Sequence, residues 1–174
     1  MQERFGSLAG LHVAYLGDGS NNVAASLAQA AVLAGATVHF GSPGTHRPSE
    51  AFLASLQAMG KPHGGAARAF GSATRAVRGA DVVYTDVWTS MGEEHLKERN
   101  AASLASFRVT QELLGYAEPH AIFMHCLPAH RGEEVTDDVM EGAQSAVFDQ
   151  AENRLHAQKA LLVSLLTELR GMPV

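Results

Sequence analysis

The stretch "LHVAYLGDGSNNVAASLAQAAVLAG" (residues 11–35) decides the fold class. Residues 11–17 are mostly apolar and close on a glycine, the pattern of a buried strand. A polar turn follows. From 22 to 35 the chain is alanine-rich with apolar residues at helical spacing, and Gly35 is placed to end the helix. A strand, a short turn and a helix make one βα unit. Outward from it the alternation repeats. "ATVHFGSP" (36–43) reads as a strand, and "RPSEAFLASLQAMG" (47–60) as a helix with Pro48 near its first turn. "ARAF" (67–70) is a weak strand, "SATRAVRGA" (72–80) a short helix and "DVVYTDVW" (81–88) a clear strand. Residues 93–100 and 109–117 are helical, "AIFMHCL" (121–127) is a strand, and "SAVFDQ" (145–150) is read as another. A long helix closes the chain, with leucines at 155, 162, 165, 166 and 169 on one broad apolar face. This alternation predicts an α/β fold: a doubly wound, Rossmann-like parallel sheet of about five strands with helices on both faces.

The 174 residues suit one domain with a core of its own. The single cysteine excludes an intrachain disulfide and any Cys-cluster zinc site, and fits a reducing, cytoplasmic compartment. The opening "MQERFGSLAG" lacks the apolar run of a signal peptide, and no segment is apolar enough to span a bilayer. A formal charge of −5 argues against nucleic acid as a partner. No membrane partner is expected.

In a doubly wound sheet, ligands sit outside the carboxyl ends of the strands. Four segments lie there. "GDGSNNVAASL" (17–27) begins the G-x-G-x-x-G pattern of dinucleotide folds but has Asn22 at the third glycine position, and no acidic residue ends the next strand. Asn21 and Asn22 each offer a helix cap or an amide suited to an amino-acid ligand. In "TDVWTSMGEE" (85–94), Asp86 can hold a substrate ammonium, and the short polar loop at Ser90 and Met91 reads either as a closing lid or as a capped turn. "MHCLPAHRGEEV" (124–135) holds Cys126, open to reading as a core residue, metal ligand or nucleophile, beside a Leu127–Pro128 bond that is a candidate for the cis form. His125 and His130 raise a metal reading, but no nearby carboxylate–histidine set completes a site, so no metal is expected. In "DQAENRLHAQKA" (149–160), Arg154 and His156 are expected in the first turns of the last helix, where the charge of Arg154 and the positive helix end would together suit a phosphate or an oxyanion.

In this order and spacing, the four segments resemble the ornithine carbamoyltransferases, with "HCLP" and "SMG" the most specific pieces. The resemblance runs from the strand leading to Gly17 through the final helix, and it corresponds to that family's ornithine-binding domain. It implies that Asn22 contacts the ornithine α-substituents, that Asp86 binds its amino group, and that Ser90 and Met91 close over it. It further implies that Cys126 and Leu127 lie against both substrates, that His125 supports the carbamoyl group, and that Arg154 holds carbamoyl phosphate. Cys126, Asp86 and Arg154 are thus the expected catalytic set. The implied reaction forms citrulline and phosphate from L-ornithine and carbamoyl phosphate, in arginine metabolism, with no metal, flavin or nicotinamide cofactor. Ornithine is favoured over putrescine or aspartate by the "SMG" loop.

The family's first domain cradles phosphate with a Ser-Thr-Arg-Thr-type motif, and no such motif occurs here; "SATR" (72–75) lies on a short helix between strands. Residues 1–174 are therefore expected to form a single ornithine-binding domain, with the carbamoyl-phosphate-binding N-terminal domain missing as a partner and the isolated chain inactive. The segment after the "SMG" loop looks slightly shortened. The family trimer makes a homo-oligomer a further expectation. The alternatives are a stand-alone amino-acid-binding or regulatory module that keeps the fold and, more weakly, a dinucleotide-binding domain.

Overall fold

The computed structural model describes residues 1–89, Gly92 and 94–170. Its centre is one five-stranded parallel sheet in the order β3-β2-β1-β4-β5. The strands are β1 (His12–Leu16), β2 (Thr37–Gly41), β3 (Ala66–Phe70), β4 (Val82–Thr85) and β5 (Ile122–His125). The helices are α1 (Gln2–Phe5), α2 (Asn22–Leu33), α3 (Glu50–Gly60), α4 (Ala73–Val77), α5 (Lys97–Leu104), α6 (Gln111–Leu114), α7 (Asp137–Met140) and α8 (Val147–Arg170). The chain builds outward from β1 to β3, then returns to place β4 on the other side of β1. That reversal opens a crevice at the carboxyl ends of β1 and β4. There the Thr85 hydroxyl donates to the Leu16 carbonyl at 2.8 Å and ties the two strand ends together.

Burial explains the strands. Val13 and Tyr15 of β1 point to one face with Val38, Phe40, Val82 and Tyr84, under α2 and α3. Ala14 and Leu16 point to the other, with Val83 and Phe123, under α4, Phe107 and α7. A strand covered on both faces shows no polar alternation, and β1 shows none. The helix starts are set by side chains. Asn21 Oδ1 accepts from the Ala24 N–H at 2.7 Å, and Ser49 caps α3 through the Phe52 N–H at 3.1 Å. Each such cap contributes on the order of 1 kcal/mol. Because Ser49 is the cap, α3 starts at Glu50, and Pro48 lies before the helix rather than in its first turn.

Two segments differ from the sequence expectation. Residues 145–150 are not a strand. Ser145 makes one isolated parallel bridge to Phe123, and the chain enters α8 at Val147. The Gln150 N–H already bonds the Ala146 carbonyl at 3.0 Å, a helical contact, and Asp149 stands in the first turn where its charge suits the helix dipole. Second, the helix expected over 93–100 begins as a 3-10 turn at Glu94–Leu96 and continues as α5 to Leu104. No helix among the described residues is long and apolar enough to cross a membrane.

Candidate active site

The carboxyl ends of β1, β4 and β5 surround a cavity of about 580 Å³. Its lining includes Asn22, Asp86, Lys97, Cys126, Leu127 and His130. The turn after β1 divides its two asparagines. Asn21 caps α2 and exchanges hydrogen bonds with the Tyr15 hydroxyl, its Nδ2 3.0 Å away. Asn22 has no such duty and stands exposed at the cavity. The glycines of this turn answer to backbone and packing: Gly17 has φ +111°, and Gly19 sits in close contact with its neighbours. A Cβ on Gly19 would lie 2.7 Å from Ser42 Oγ and 2.9 Å from Pro48 Cδ. Asp18 folds its carboxylate onto Ser20, accepting from its N–H at 2.9 Å, so the turn carries negative charge. That arrangement does not suit a dinucleotide pyrophosphate.

Asp86 follows β4 and is 8% exposed. Its Oδ1 accepts the Val87 N–H at 2.8 Å and the Cys126 thiol at 3.0 Å. Burial, then the hydrogen bond and the charge of Asp86, push the Cys126 thiol up to about 12. Cys126 is therefore held as a thiol that donates, neither a proton acceptor nor a thiolate nucleophile at neutral pH. Ser90 and Met91, the expected closing loop, lie outside the described residues. The buried Asn100 donates to the Trp88 carbonyl at 2.9 Å and anchors the segment leaving Asp86.

The Leu127–Pro128 bond is cis, and Leu127 has φ +57°. A left-handed leucine costs on the order of 1–2 kcal/mol, and here its N–H is taken by His125 Nδ1 at 2.9 Å. That bond leaves the His125 proton on Nε2, which faces Glu134 Oε1 at 3.4 Å without the alignment of a hydrogen bond. His125 is wholly buried and is not brought into the cavity lining. The structure places it under the turn, holding the backbone that lines the cavity. Arg154 is likewise not brought beside Asp86. Because α8 starts at Val147, Arg154 falls in its second turn, away from the positive helix end expected to assist it. It is exposed and lines a neighbouring hollow with Phe148, Arg131, Leu127 and Pro128. The Leu127–Pro128 turn separates the two cavities and lines both.

Among the described residues, two groups of side chains offer metal-ligand atoms within 4.8 Å of one another: Asp86, His125 and Cys126, and His130, Glu133 and Glu134. In the first the thiol is held protonated and His125 Nδ1 is engaged. In the second, Glu133 is paired with Lys97 at 2.8 Å.

A family model described as Aspartate/ornithine carbamoyltransferase, Asp/Orn binding domain, matches residues 9–165. The chain belongs to this family. It is 51% identical over 164 residues to an ornithine carbamoyltransferase of Symbiobacterium thermophilum, a match covering 94% of this chain and 53% of that protein. The structure of ornithine carbamoyltransferase from Pyrococcus furiosus superposes with a TM-score of 0.87 at 46% identity, over 92% of this chain and 51% of that one. The enzyme from Giardia lamblia gives 0.84 at 32% identity, over 92% and 54%. The chain thus spans about half the length of the curated relatives it matches.

Within this Asp/Orn binding domain, several residues of the site escape sequence reasoning. Glu134 sits in the quoted "HRGEEV" and is fully buried, yet two adjacent glutamates read as a solvated pair. Lys97 reaches the cavity from α5, and Tyr84 and Gln150 meet beneath it at 2.8 Å from positions far apart in the chain. Charge and spacing carry no signal for contacts of that range.

Proposed function

We propose that this chain is the ornithine-binding half of an ornithine carbamoyltransferase and works with a second half that binds carbamoyl phosphate. The observation that carries the reading is the buried Asp86 carboxylate at the cavity floor, held by the Cys126 thiol at 3.0 Å, with Asn22 across the opening. A carboxylate in this setting attracts an alkylammonium, and an amide nearby can meet both a carboxylate and an amine. Ser90 and Met91 are proposed to close over the bound amino acid.

In the proposed reaction, the δ-amine of ornithine attacks the carbonyl carbon of carbamoyl phosphate. The ammonium first gives up one proton, which it holds to a pKa of about 10.4, to become the nucleophilic amine, so a base must receive it. The nitrogen–carbon bond then forms, the carbon–oxygen bond to phosphate breaks, phosphate leaves with the electron pair, and the attacking nitrogen sheds a second proton, which the departing phosphate can take. Asp86 is the proposed acceptor or orienter. Cys126, kept protonated, orients Asp86 instead of taking the proton. Arg154 is the proposed partner of the phosphate or the developing oxyanion, by its own charge alone. Leu127 contributes the turn against which both substrates lie, and His125 keeps that turn in place.

The experiment is complementation. This chain alone is expected to make no citrulline from ornithine and carbamoyl phosphate, and adding a separately expressed carbamoyl-phosphate-binding half is expected to restore turnover. Restored activity that survives Asp86→Ala would sink the assignment of Asp86. Substantial turnover by the pure chain would sink the requirement for a second half. Ornithine binding without any restored turnover would favour a stand-alone amino-acid-binding module.

A further inference from the structure

An open sheet ends in two strands whose outward N–H and C=O groups can pair with another extended chain, and the same strand of a second copy is always at hand. Here those strands are β3 and β5. The Ala66 N–H bonds the Ala36 carbonyl, and the Phe70 carbonyl accepts the Ser42 N–H, so both residues face β2. With a period of two, Ala67 and Ala69 turn their backbone groups outward. Side chains take both outward carbonyls. Gln57 of α3 donates from Nε2 to the Ala67 carbonyl at 2.7 Å, and Arg47 donates to the Ala69 carbonyl at 3.0 Å. The far edge is treated alike. The Ile122 N–H bonds the Asp81 carbonyl on the β4 side, which turns Ala121, Phe123 and His125 outward. Gln144 Nε2 donates to the Ala121 carbonyl at 2.9 Å, and Gln150 Oε1 accepts the His125 N–H at 3.1 Å. Between them, the Phe123 N–H and carbonyl bond the backbone of Gln144 and Ala146 at 2.8 and 2.9 Å.

We infer that Gln57 and Arg47 close the β3 edge against strand addition by a second copy of this chain, as Gln144 and Gln150 help to close the β5 edge. Each side chain does at its carbonyl what the N–H of a neighbouring strand would do, and so withholds that acceptor from pairing. The two edges differ in how they are closed. At β5 the closure includes backbone of the segment entering α8, so it belongs to the fold itself. At β3 it depends on two long, exposed side chains that reach back from the loop before α3 and from α3. The β3 edge is therefore the one that substitution can open. With both edges shut, association is left to the helical faces, whatever ligand the cavity takes.

The test uses the full chain carrying Leu162→Glu and Leu166→Glu, which put charge on exposed leucines of α8 so that association through that helix does not obscure the result. In this background, Gln57→Met with Arg47→Met keeps side-chain bulk and removes the donors. Sedimentation velocity is expected to show monomer before the two methionines are introduced and dimers or larger species after, at equal concentration. In those species the outward N–H of Ala69, followed by hydrogen exchange and NMR, is expected to exchange about ten-fold more slowly, the effect of one added hydrogen bond. Arg78→Met removes the same charge from an exposed site after α4 and should stay monomeric. A double methionine variant that stays monomeric overturns the inference. So does association without slower exchange at Ala69, or equal association in Arg78→Met. If the double variant fails to fold by circular dichroism, Arg47→Met alone, which frees the Ala69 carbonyl, decides by the same two readouts. Neither substrate nor a second half is involved, so the outcome is separable from that of the complementation experiment.

Discussion

His125 Nε2 and Glu134 Oε1 face each other at 3.4 Å, and solvent reaches neither side chain. Glu134 Oε1 also receives the His130 N–H, so one carboxylate spans both ends of the turn over the cavity. Leaving a buried polar group without its partner costs about 1–3 kcal/mol, and Glu134→Ala strips the His130 N–H of its acceptor. Glu134→Ala is therefore expected to lower stability by about that amount in urea unfolding followed by circular dichroism. Glu134→Gln keeps an acceptor for His130 and should lose about half as much or less. An alanine variant within about 0.5 kcal/mol of the native chain would mean that the pair carries no such weight.

Asn21 and Asn22 are neighbours with separate duties. Asn21→Ala removes the α2 cap and the partner of the Tyr15 hydroxyl. The expected cost is about 1–2 kcal/mol, read as a fall in Tm. Asn22→Ala should leave Tm nearly unchanged and, under the proposed function, weaken ornithine binding in the complemented enzyme. Equal losses of stability in the two variants would contradict this division.

The parts of the fold that were legible in sequence are those set by local rules. The β1–turn–α2 unit carries its strand pattern, cap and terminating glycine within one stretch, and the parallel sheet follows from its repetition. Asp86 and Cys126 were legible as strand-end residues for the same reason. The segment at 145–150 was not, because Ser-Ala-Val-Phe suits a strand locally, and only the single bridge from Ser145 to Phe123 shows how little pairing is available. That one error displaced the start of α8 and with it the setting of Arg154. The role of His125 was hidden differently. The resemblance implied that it supports the carbamoyl group, whereas its ring is wholly buried and meets Glu134 at 3.4 Å after the chain has looped back.

His39 and His12 touch edge to face with centroids 3.9 Å apart. Burial, then the nearby charges of His12 and Arg68, bring His39 from its ordinary 6.5 down to about 4. Burial also lowers His12. The folded chain thus binds fewer protons than the unfolded chain between about pH 4 and 6.5. Stability contributed by neutral His39 is complete above pH 6.5 and is lost as pH falls toward 4. Urea midpoints measured across that window should decline toward acid, and His39→Gln should flatten the decline. A midpoint that is steady in the native chain, or that falls equally in the variant, would contradict the assignment.

Beyond its first two turns, α8 presents Leu155, Leu161, Leu162, Val163, Leu165 and Leu166 to solvent, with Leu162 59% exposed. Apolar side chains so concentrated on one helix are costly in water, at roughly 25 cal/mol per Å², and an exposed patch of this kind marks an interface. Under the proposed function, the second half of the enzyme is the partner that covers it. The isolated chain should then self-associate with rising concentration in sedimentation velocity and bind a hydrophobic dye, and both should diminish when the carbamoyl-phosphate-binding half is added. Leu162→Glu with Leu166→Glu places two charges one helical turn apart on this face, where they touch none of the cavity residues. The double variant is expected to remain monomeric and folded yet to fail in restoring citrulline formation. Full restoration by that variant would show that the two halves meet elsewhere.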